Sequence, residues 1–210
     1  MLDLVKQETE RIDSRFLEPA CGDGNFLEEI LRRKLAAVKA RYKKSAADYE
    51  KYAVMAVTSI YGVDILQDNV EECRRRLFGI WNAEYTANCR GECTDACRAA
   101  VRYILDRNIL CGNALTLKKV NAAGQDTNAP IIFSEWVFTG SSSVKRSDYR
   151  LDVLMNENDD PYHYSTQLSL FADAANGADN WMIDPETGKP IPRPVREYPA
   201  TYYWRLPEAE

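Results

Sequence analysis

Residues 16–26 read Phe16-Leu17-Glu18-Pro19-Ala20-Cys21-Gly22-Asp23-Gly24-Asn25-Phe26. A short apolar run ends at an acid, a Gly-x-Gly turn follows, and apolar residues then recur with a helical period. Glycines allow a tight turn and a close approach of the backbone to a ligand, and a helix N-terminus adds positive potential. The third glycine and the Lys-Ser/Thr pair of phosphate-binding loops are absent. The stretch therefore predicts a ligand-binding loop after a buried strand, in a fold of the α/β class.

Two later segments have the same design, with an apolar run that ends in a polar side chain. Residues 59–65 read Ser-Ile-Tyr-Gly-Val-Asp-Ile and end near Asp64, and residues 108–115 read Asn-Ile-Leu-Cys-Gly-Asn-Ala-Leu and contain Asn113. A carboxylate at the carboxyl edge of a strand can accept both hydroxyls of a ribose. An asparagine amide donates and accepts at once, which suits an amino-purine edge.

The nine residues from Glu18 to Phe26 resemble motif I of S-adenosylmethionine-dependent methyltransferases, and specifically of adenine-N6 DNA methyltransferases. Residues 59–65 and 108–115 stand where motifs II and III of that family are required, and the resemblance covers about residues 1–138. It implies a Rossmann-like class I methyltransferase fold, with a mostly parallel sheet, helices on both faces and S-adenosyl-L-methionine as cofactor. The cofactor-binding residues that it implies are Glu18, Ala20, Cys21, Gly22, Gly24, Phe26, Asp64, Ile65, Gly112 and Asn113.

The catalytic segment departs from the family. Adenine-N6 methyltransferases carry Asn/Asp-Pro-Pro-Tyr/Phe at the end of the fourth strand, whereas the fourth strand predicted here, residues 130–138, carries Ser134, Glu135 and Trp136. Glu135 could accept a proton of the target amino group, and Trp136 could stack on a flipped base. The alternative is that Trp136 packs against the sheet and the site is inactive. Residues 159–162, Asp-Asp-Pro-Tyr, come too late in the chain to replace the motif, and His163 beside them is expected to be a surface residue.

Composition limits the partners. The 210 residues carry a net charge of −5, and 45% of them are hydrophobic. Without an apolar run of about 20 residues or a signal-peptide layout, we expect a cytoplasmic protein that does not enter a membrane. An acidic chain is not expected to bind DNA by its overall field, so basic surface and sequence choice would come from a partner specificity subunit in a hetero-oligomer. Locally, residues 141–150 read as a polar, basic loop with Lys145, Arg146 and Arg150, which favours a phosphate-bearing substrate, while the alternative is an ordinary solvated charge cluster.

The sequence indicates a body followed by an extension. Residues 1–150 are expected to form the cofactor-binding domain and residues 151–210 an extension rich in loops, with a proline- and aromatic-rich extended arm at its end.

Cys89, Cys93 and Cys97 would share one stripe if they lay on a helix. A second ligand pair of the kind that zinc requires is missing, so we expect reduced thiols and no metal.

The sequence thus predicts a methyltransferase that acts on DNA at adenine N6, in a system of the restriction-modification type. Two alternatives stay open, namely a catalytically silent cofactor-binding subunit or fragment that needs a partner chain, and a methyltransferase of protein or small-molecule substrates. Residues 1–5 match the end of the family's motif X helix without the segment that normally precedes it, which predicts weakened affinity for the carboxylate of the cofactor.

Overall fold

A computed structural model describes residues 6–155, 180–185 and 187–209, and these form a mixed α/β structure. Its parallel sheet has three strands in the order β1 (Phe16–Glu18), β2 (Ile60–Asp64) and β3 (Ile109–Cys111). Phe16 lies opposite Ile60, and Gly62 lies opposite Ile109. Because all three strands run the same way, the polar residues that follow them meet at one edge of the sheet.

Helices connect the parallel strands. After α1 (Lys6–Glu10), the chain between β1 and β2 forms α2 (Asn25–Tyr42) and α3 (Ala46–Thr58). The chain between β2 and β3 forms α4 (Gln67–Cys89), a short 3-10 helix (Arg90–Glu92) and α5 (Asp95–Asn108). Side-chain caps begin α3 and α5, because Ser45 accepts from the amide of Asp48 and Thr94 from that of Cys97. None of the helices in the described ranges is long and apolar enough to cross a membrane.

The remaining strands of the described residues pair antiparallel, so within this part of the chain parallel pairing is limited to β1–β3 and the sheets are not mostly parallel as the resemblance implies. A hairpin is formed by β4 (Lys118–Val120) and β5 (Asp126–Pro130), and β6 (Ile132–Phe138) pairs along its whole length with β7 (Ser143–Arg150). A short helix, α6 (Leu151–Met155), follows β7. A second hairpin is formed by β8 (Trp181–Ile183) and β9 (Pro190–Pro192).

The predicted loop at residues 141–150 is wrong, because β7 occupies most of it. The predicted extended arm is also only partly right, since the end of the chain folds back on β7 through β10 (Arg196–Glu197) and β11 (Thr201–Tyr202) and closes with a 3-10 helix (Tyr203–Glu208). The division at residue 150 stays a prediction, although β10 and β11 from the expected extension pair with a strand of the expected body.

A buried polar network explains why charged residues stand inside β7. Arg146 and Asp148 form an ion pair at 2.7 Å, with 8% and 9% of their side chains exposed. Ser134 of β6 donates to Asp148 at 2.7 Å, Arg146 donates to the hydroxyl of Tyr103 in α5 at 2.6 Å, and Tyr198 donates to Asp148. Since an uncompensated buried charge is costly, these partners stabilise the charged side chains of β7 inside the core.

The three closely spaced cysteines lie on successive elements. Cys89 ends α4, Cys93 follows the short 3-10 helix and Cys97 belongs to α5, so the three do not share a single helix. All six cysteines are free thiols. Among the residues that the structure describes, no group of three acidic, cysteine or histidine side chains could hold a metal ion.

Buried thiols and phenols predict a loss of stability at alkaline pH. Burial raises the pKa of Cys89 to about 12 and also raises those of Cys97 and Tyr49, so the unfolded chain releases these protons first. Their contribution to stability is complete below the unfolded thiol pKa of about 8.5 and is lost above it, at up to about 1.4 kcal/mol per pH unit and group. Burial lowers the pKa of Lys34 to about 8, which acts in the opposite direction between about pH 8 and 10.4 but involves a single group.

Urea unfolding under reducing conditions between pH 7 and 10.5 measures this effect. We expect Cys97→Ala to flatten the fall in the free energy of unfolding. Val101→Ala, at another fully buried position of α5, is the matched control for the cavity and should shift the curve without changing its slope. Equal slopes in the two variants would contradict the assignment to Cys97.

Candidate functional site at the carboxyl edge of the parallel sheet

The glycine loop after β1 needs its two glycines for different reasons. Gly22 and Gly24 both have left-handed backbones, with φ of +53° and +97°. A Cβ atom on Gly24 would lie 2.7 Å from the Sγ atom of Cys73 in α4, whereas a Cβ on Gly22 would meet nothing within 4 Å. Gly24 therefore allows close packing of the loop on α4, and Gly22 leaves open space on the side where a ligand would lie.

Backbone hydrogen bonds hold the loop in place and leave the start of α2 uncapped. The amide of Cys21 donates to the carbonyl of Val63 at 2.9 Å, and the amide of Gly24 donates to the carbonyl of Cys21 at 2.9 Å. Gly24 is the N-cap residue of α2, and no side chain caps the helix there. The first-turn amides of this 18-residue helix therefore form a site of positive potential suited to a carboxylate or phosphate.

The carboxylate of Asp64, at the end of β2, joins two of the predicted segments. Its Oδ2 atom accepts from the amide of Gly22 at 2.9 Å. Its Oδ1 atom accepts from the amide of Leu66 at 2.9 Å and from the side chain of Asn69 at 3.0 Å. A carboxylate offers about four acceptor positions, so about one remains for a ribose hydroxyl. A second hydroxyl would have to displace one of the present donors. Ile65 beside it is 44% exposed and is free to contact a flat ring.

The third segment reaches the same edge of the sheet. The amide of Gly112 donates to the carbonyl of Asp64 at 2.9 Å, and a Cβ on Gly112 would lie 2.6 Å from the Cδ1 atom of Ile131. The side chain of Asn113 accepts from the amide of Leu115 and donates to Asp126, both at 3.0 Å. One amide hydrogen and one lone pair of Asn113 remain for a ligand. The structure thus brings Gly22, Asp64 and Gly112 together, and it holds Asn113 in a local turn.

The predicted catalytic segment lies elsewhere than expected. Residues 134–136 occupy the middle of β6 and not its carboxyl end. Trp136 is 7% exposed and its indole donates to Asn108 at 2.9 Å, which favours the packing role that the sequence left open. Ser134, which is 3% exposed, belongs to the buried network of Asp148. Since successive strand residues point to opposite faces, Glu135 is the member of the triplet that points away from Trp136.

Glu135 lines a cavity of about 480 Å³ between β1 and β6. Its carboxylate pairs with Arg15, which directly precedes β1. The cavity is also lined by Phe16, Leu17, Tyr61, Phe133, Tyr149 and Met155. Burial, with the neighbouring carboxylate of Glu135, raises the pKa of the Tyr149 phenol. The cavity therefore has apolar and aromatic walls with a small number of polar groups, which is typical of ligand sites.

The cavity and the glycine loop are neighbours along β1 and are not one pocket. Leu17 lines the cavity and the next residue, Glu18, begins the loop, but Gly22, Asp64 and Asn113 do not line the cavity. Sequence reasoning missed Arg15 and Tyr149. Tyr149 lies opposite Phe133 in the register of β6 and β7. An assignment of β7 as a strand would therefore have placed Tyr149 beside the cavity.

The predicted basic loop is neutralised by partners. Lys145 pairs with Glu197 at 2.6 Å, Arg150 pairs with Asp152 at 2.6 Å, and Arg146 is buried with its own acid. These residues therefore do not form the positive surface that a phosphate-bearing substrate would need, because each charge is already compensated.

Three predicted features lie outside the described residues. These are the match to motif X at residues 1–5, the Asp-Asp-Pro-Tyr run at residues 159–162, and His163.

Comparison with known proteins gives one relative. Over 170 residues the chain is 24% identical to DNA methyltransferase A of Bacillus subtilis (strain 168). The chain is distantly similar to a DNA methyltransferase. The match includes 78% of this chain and 17% of the relative, so the chain spans about a sixth of the relative's length. No family model matches the chain, and no solved structure matches it.

The two loop glycines predict different costs of substitution. Gly22→Ala should destabilise the protein by about 1–2 kcal/mol, because alanine is strained in the left-handed region. Gly24→Ala is strained further, because its φ of +97° lies outside the left-handed region that other residues reach, and it also drives its Cβ into Cys73, so its loss of stability should be clearly larger. Chemical denaturation measures both variants, and adding Cys73→Ala should recover part of the stability of Gly24→Ala alone. Equal costs at the two positions would contradict the close packing of Gly24 on α4.

Proposed function

We propose that the chain is an S-adenosylmethionine-dependent methyltransferase of class I fold that acts on an amino group of DNA, with adenine N6 as the target atom. The observation that carries this proposal is the meeting of the glycine loop, Asp64 and the segment after β3 at one sheet edge, in the order that the sequence resemblance requires. The distant similarity to a DNA methyltransferase supports the same reaction.

The residues at the edge fit the cofactor. The uncapped first turn of α2 suits the carboxylate of the methionine part, and the open space beside Gly22 leaves room for its chain. Asp64 retains an acceptor position for a ribose hydroxyl, and Ile65 offers an exposed apolar surface to the adenine. The remaining donor and acceptor of Asn113 would contact the edge of the same ring.

Glu135 and its cavity would hold the substrate amine. The cofactor supplies a methyl group on a sulfonium, and the task of the chain is to align the amine with it and exclude water. Glu135 is oriented by Arg15 and would accept a hydrogen bond from the amine, while the aromatic walls formed by Tyr61 and Phe133 exclude water. These residue types replace the family's motif chemically but not residue for residue.

DNA recognition would depend on a partner chain. The net charge is −5, and the basic residues of β7 are compensated by acids. Positive surface for phosphates would then come from a specificity subunit, which makes the working enzyme a hetero-oligomer. A second candidate function, a cofactor-binding subunit without catalysis, is favoured by the burial of Ser134 and Trp136.

Binding of the cofactor tests the first step. Asp64→Ala should weaken S-adenosylmethionine binding by about 2–4 kcal/mol, because it removes a charged acceptor of the ribose and releases the amide of Gly22. Asp68→Ala, at an exposed position in the first turn of α4, is the matched control and should bind like the parent protein. Calorimetry measures all three proteins, and an absence of binding to the parent at millimolar ligand would refute the proposal.

Methyl transfer tests the second step. Glu135→Ala should lower the transfer of radiolabelled methyl groups to DNA by about a hundredfold, because the amine loses its orienting acceptor. Cofactor affinity should stay unchanged. The control is Glu197→Ala, since this exposed acid also bonds to a basic side chain but lies outside the cavity. Assays are run with and without the proteins that copurify with the chain. Cofactor binding without transfer in every mixture would favour the silent subunit.

A further inference from the structure

One arginine of α4 connects to both sides of the glycine loop. The Nη1 atom of Arg76 donates to the carbonyl of Asp23 at 3.1 Å and lies 2.6 Å from its carboxylate. Its Nη2 atom donates to the side chain of Asn25 at 2.8 Å, and its Nε atom pairs with the carboxylate of Glu28. The preceding residue, Arg75, is 72% exposed and pairs with Glu72 at 2.5 Å. Arg76 thus holds three residues of the loop and the first turn of α2.

We propose that Arg76 is a positioning residue of the cofactor loop, which keeps the first-turn amides of α2 available for the carboxylate of the ligand. This inference rests on the proposed function, since it assigns that end of α2 to the cofactor. Asp23 directly precedes the N-cap residue, and Glu28 follows the first three residues of the helix. Acids near a helix N-terminus are attracted to its positive end, where a carboxylate can accept from a first-turn amide.

Arg76 prevents this internal capping by drawing both acids toward α4. Asp23 lies one residue from Gly24, yet no side chain caps α2. Glu28 is 17% exposed, and its carboxylate meets the guanidinium and not the helix end. Without Arg76, Asp23 would keep the side-chain amide of Asn25 as a donor, and Glu28 would keep only the longer ion pair with Arg32 at 4.0 Å, so both carboxylates would be held less firmly away from the uncapped amides. They would compete with an anionic ligand for the amides and repel it.

Two ligands that differ in the amino-acid part separate this role from general support of the fold. S-adenosylhomocysteine carries the carboxylate, and 5′-methylthioadenosine has the same nucleoside and thioether without it. Arg76→Gln should weaken binding of S-adenosylhomocysteine by about tenfold or more and change that of 5′-methylthioadenosine by less than about twofold, because charge-assisted contacts of the carboxylate alone are lost. Arg75→Gln should leave both affinities unchanged.

A second variant tests the competing acid. Adding Glu28→Gln to Arg76→Gln removes one of the released carboxylates, and it should restore part of the affinity for S-adenosylhomocysteine. Equal weakening of both ligands by Arg76→Gln, or no weakening of either, would overturn the proposed role of Arg76.

Hydrogen exchange on the ligand-free protein keeps the two proposals distinguishable. The peptide covering residues 21–27 should exchange faster in Arg76→Gln than in the parent or Arg75→Gln, because the loop loses its contacts with α4. If the parent binds neither ligand, the proposed function fails, while faster exchange would still show that Arg76 positions the loop. Unchanged exchange would overturn the positioning role itself.

Discussion

The backbone and side chain of Asp64 hold the functional edge of the sheet together. The carboxylate accepts from Gly22 in the loop after β1 and from Leu66 at the start of α4, and the carbonyl accepts from Gly112 after β3. One residue thus connects the segments that follow all three parallel strands. Because the carboxylate forms charge-assisted hydrogen bonds, its contacts are stronger than hydrogen bonds between neutral groups.

The same residue creates a conflict between folding and binding. Each acceptor position of Asp64 that holds Gly22 or Asn69 is unavailable to a ribose. In the structure, donors of the protein occupy three of these positions, and about one is left for a ligand. Cofactor binding would therefore add contacts from the uncapped helix α2 and from Ile65, and would not rest on Asp64 alone.

The glycine loop and the sheet edge could be predicted from sequence, because each depends on residues that are close together in the chain. Gly22 and Gly24 signal a left-handed turn, and Asp64 follows an apolar run, so both the loop and the sheet edge were predictable and lie together. The sequence could not decide between a stacking and a packing role for Trp136, because Asn108, which accepts from its buried indole, lies at the end of α5, far from Trp136 in the chain. Likewise, β7 reads as a polar loop until the partners of Arg146, which lie in β6 and α5, are known.

The two halves of the proposed site are connected in different ways. The carboxyl edge of β1–β3 is held by backbone hydrogen bonds of the parallel sheet and by the carboxylate of Asp64, whereas β6 and β7 belong to a separate sheet among the described residues. Contacts across the intervening cavity are made by side chains, with Tyr61 donating to the carbonyl of Ser134 at 3.0 Å and Arg15 pairing with Glu135. A second, fully buried connection lies on the opposite face of β6, where the indole of Trp136 donates to Asn108 and Asn108 donates to the carbonyl of Ile60 in β2, so the position of Glu135 relative to the parallel sheet is set from both faces of its strand.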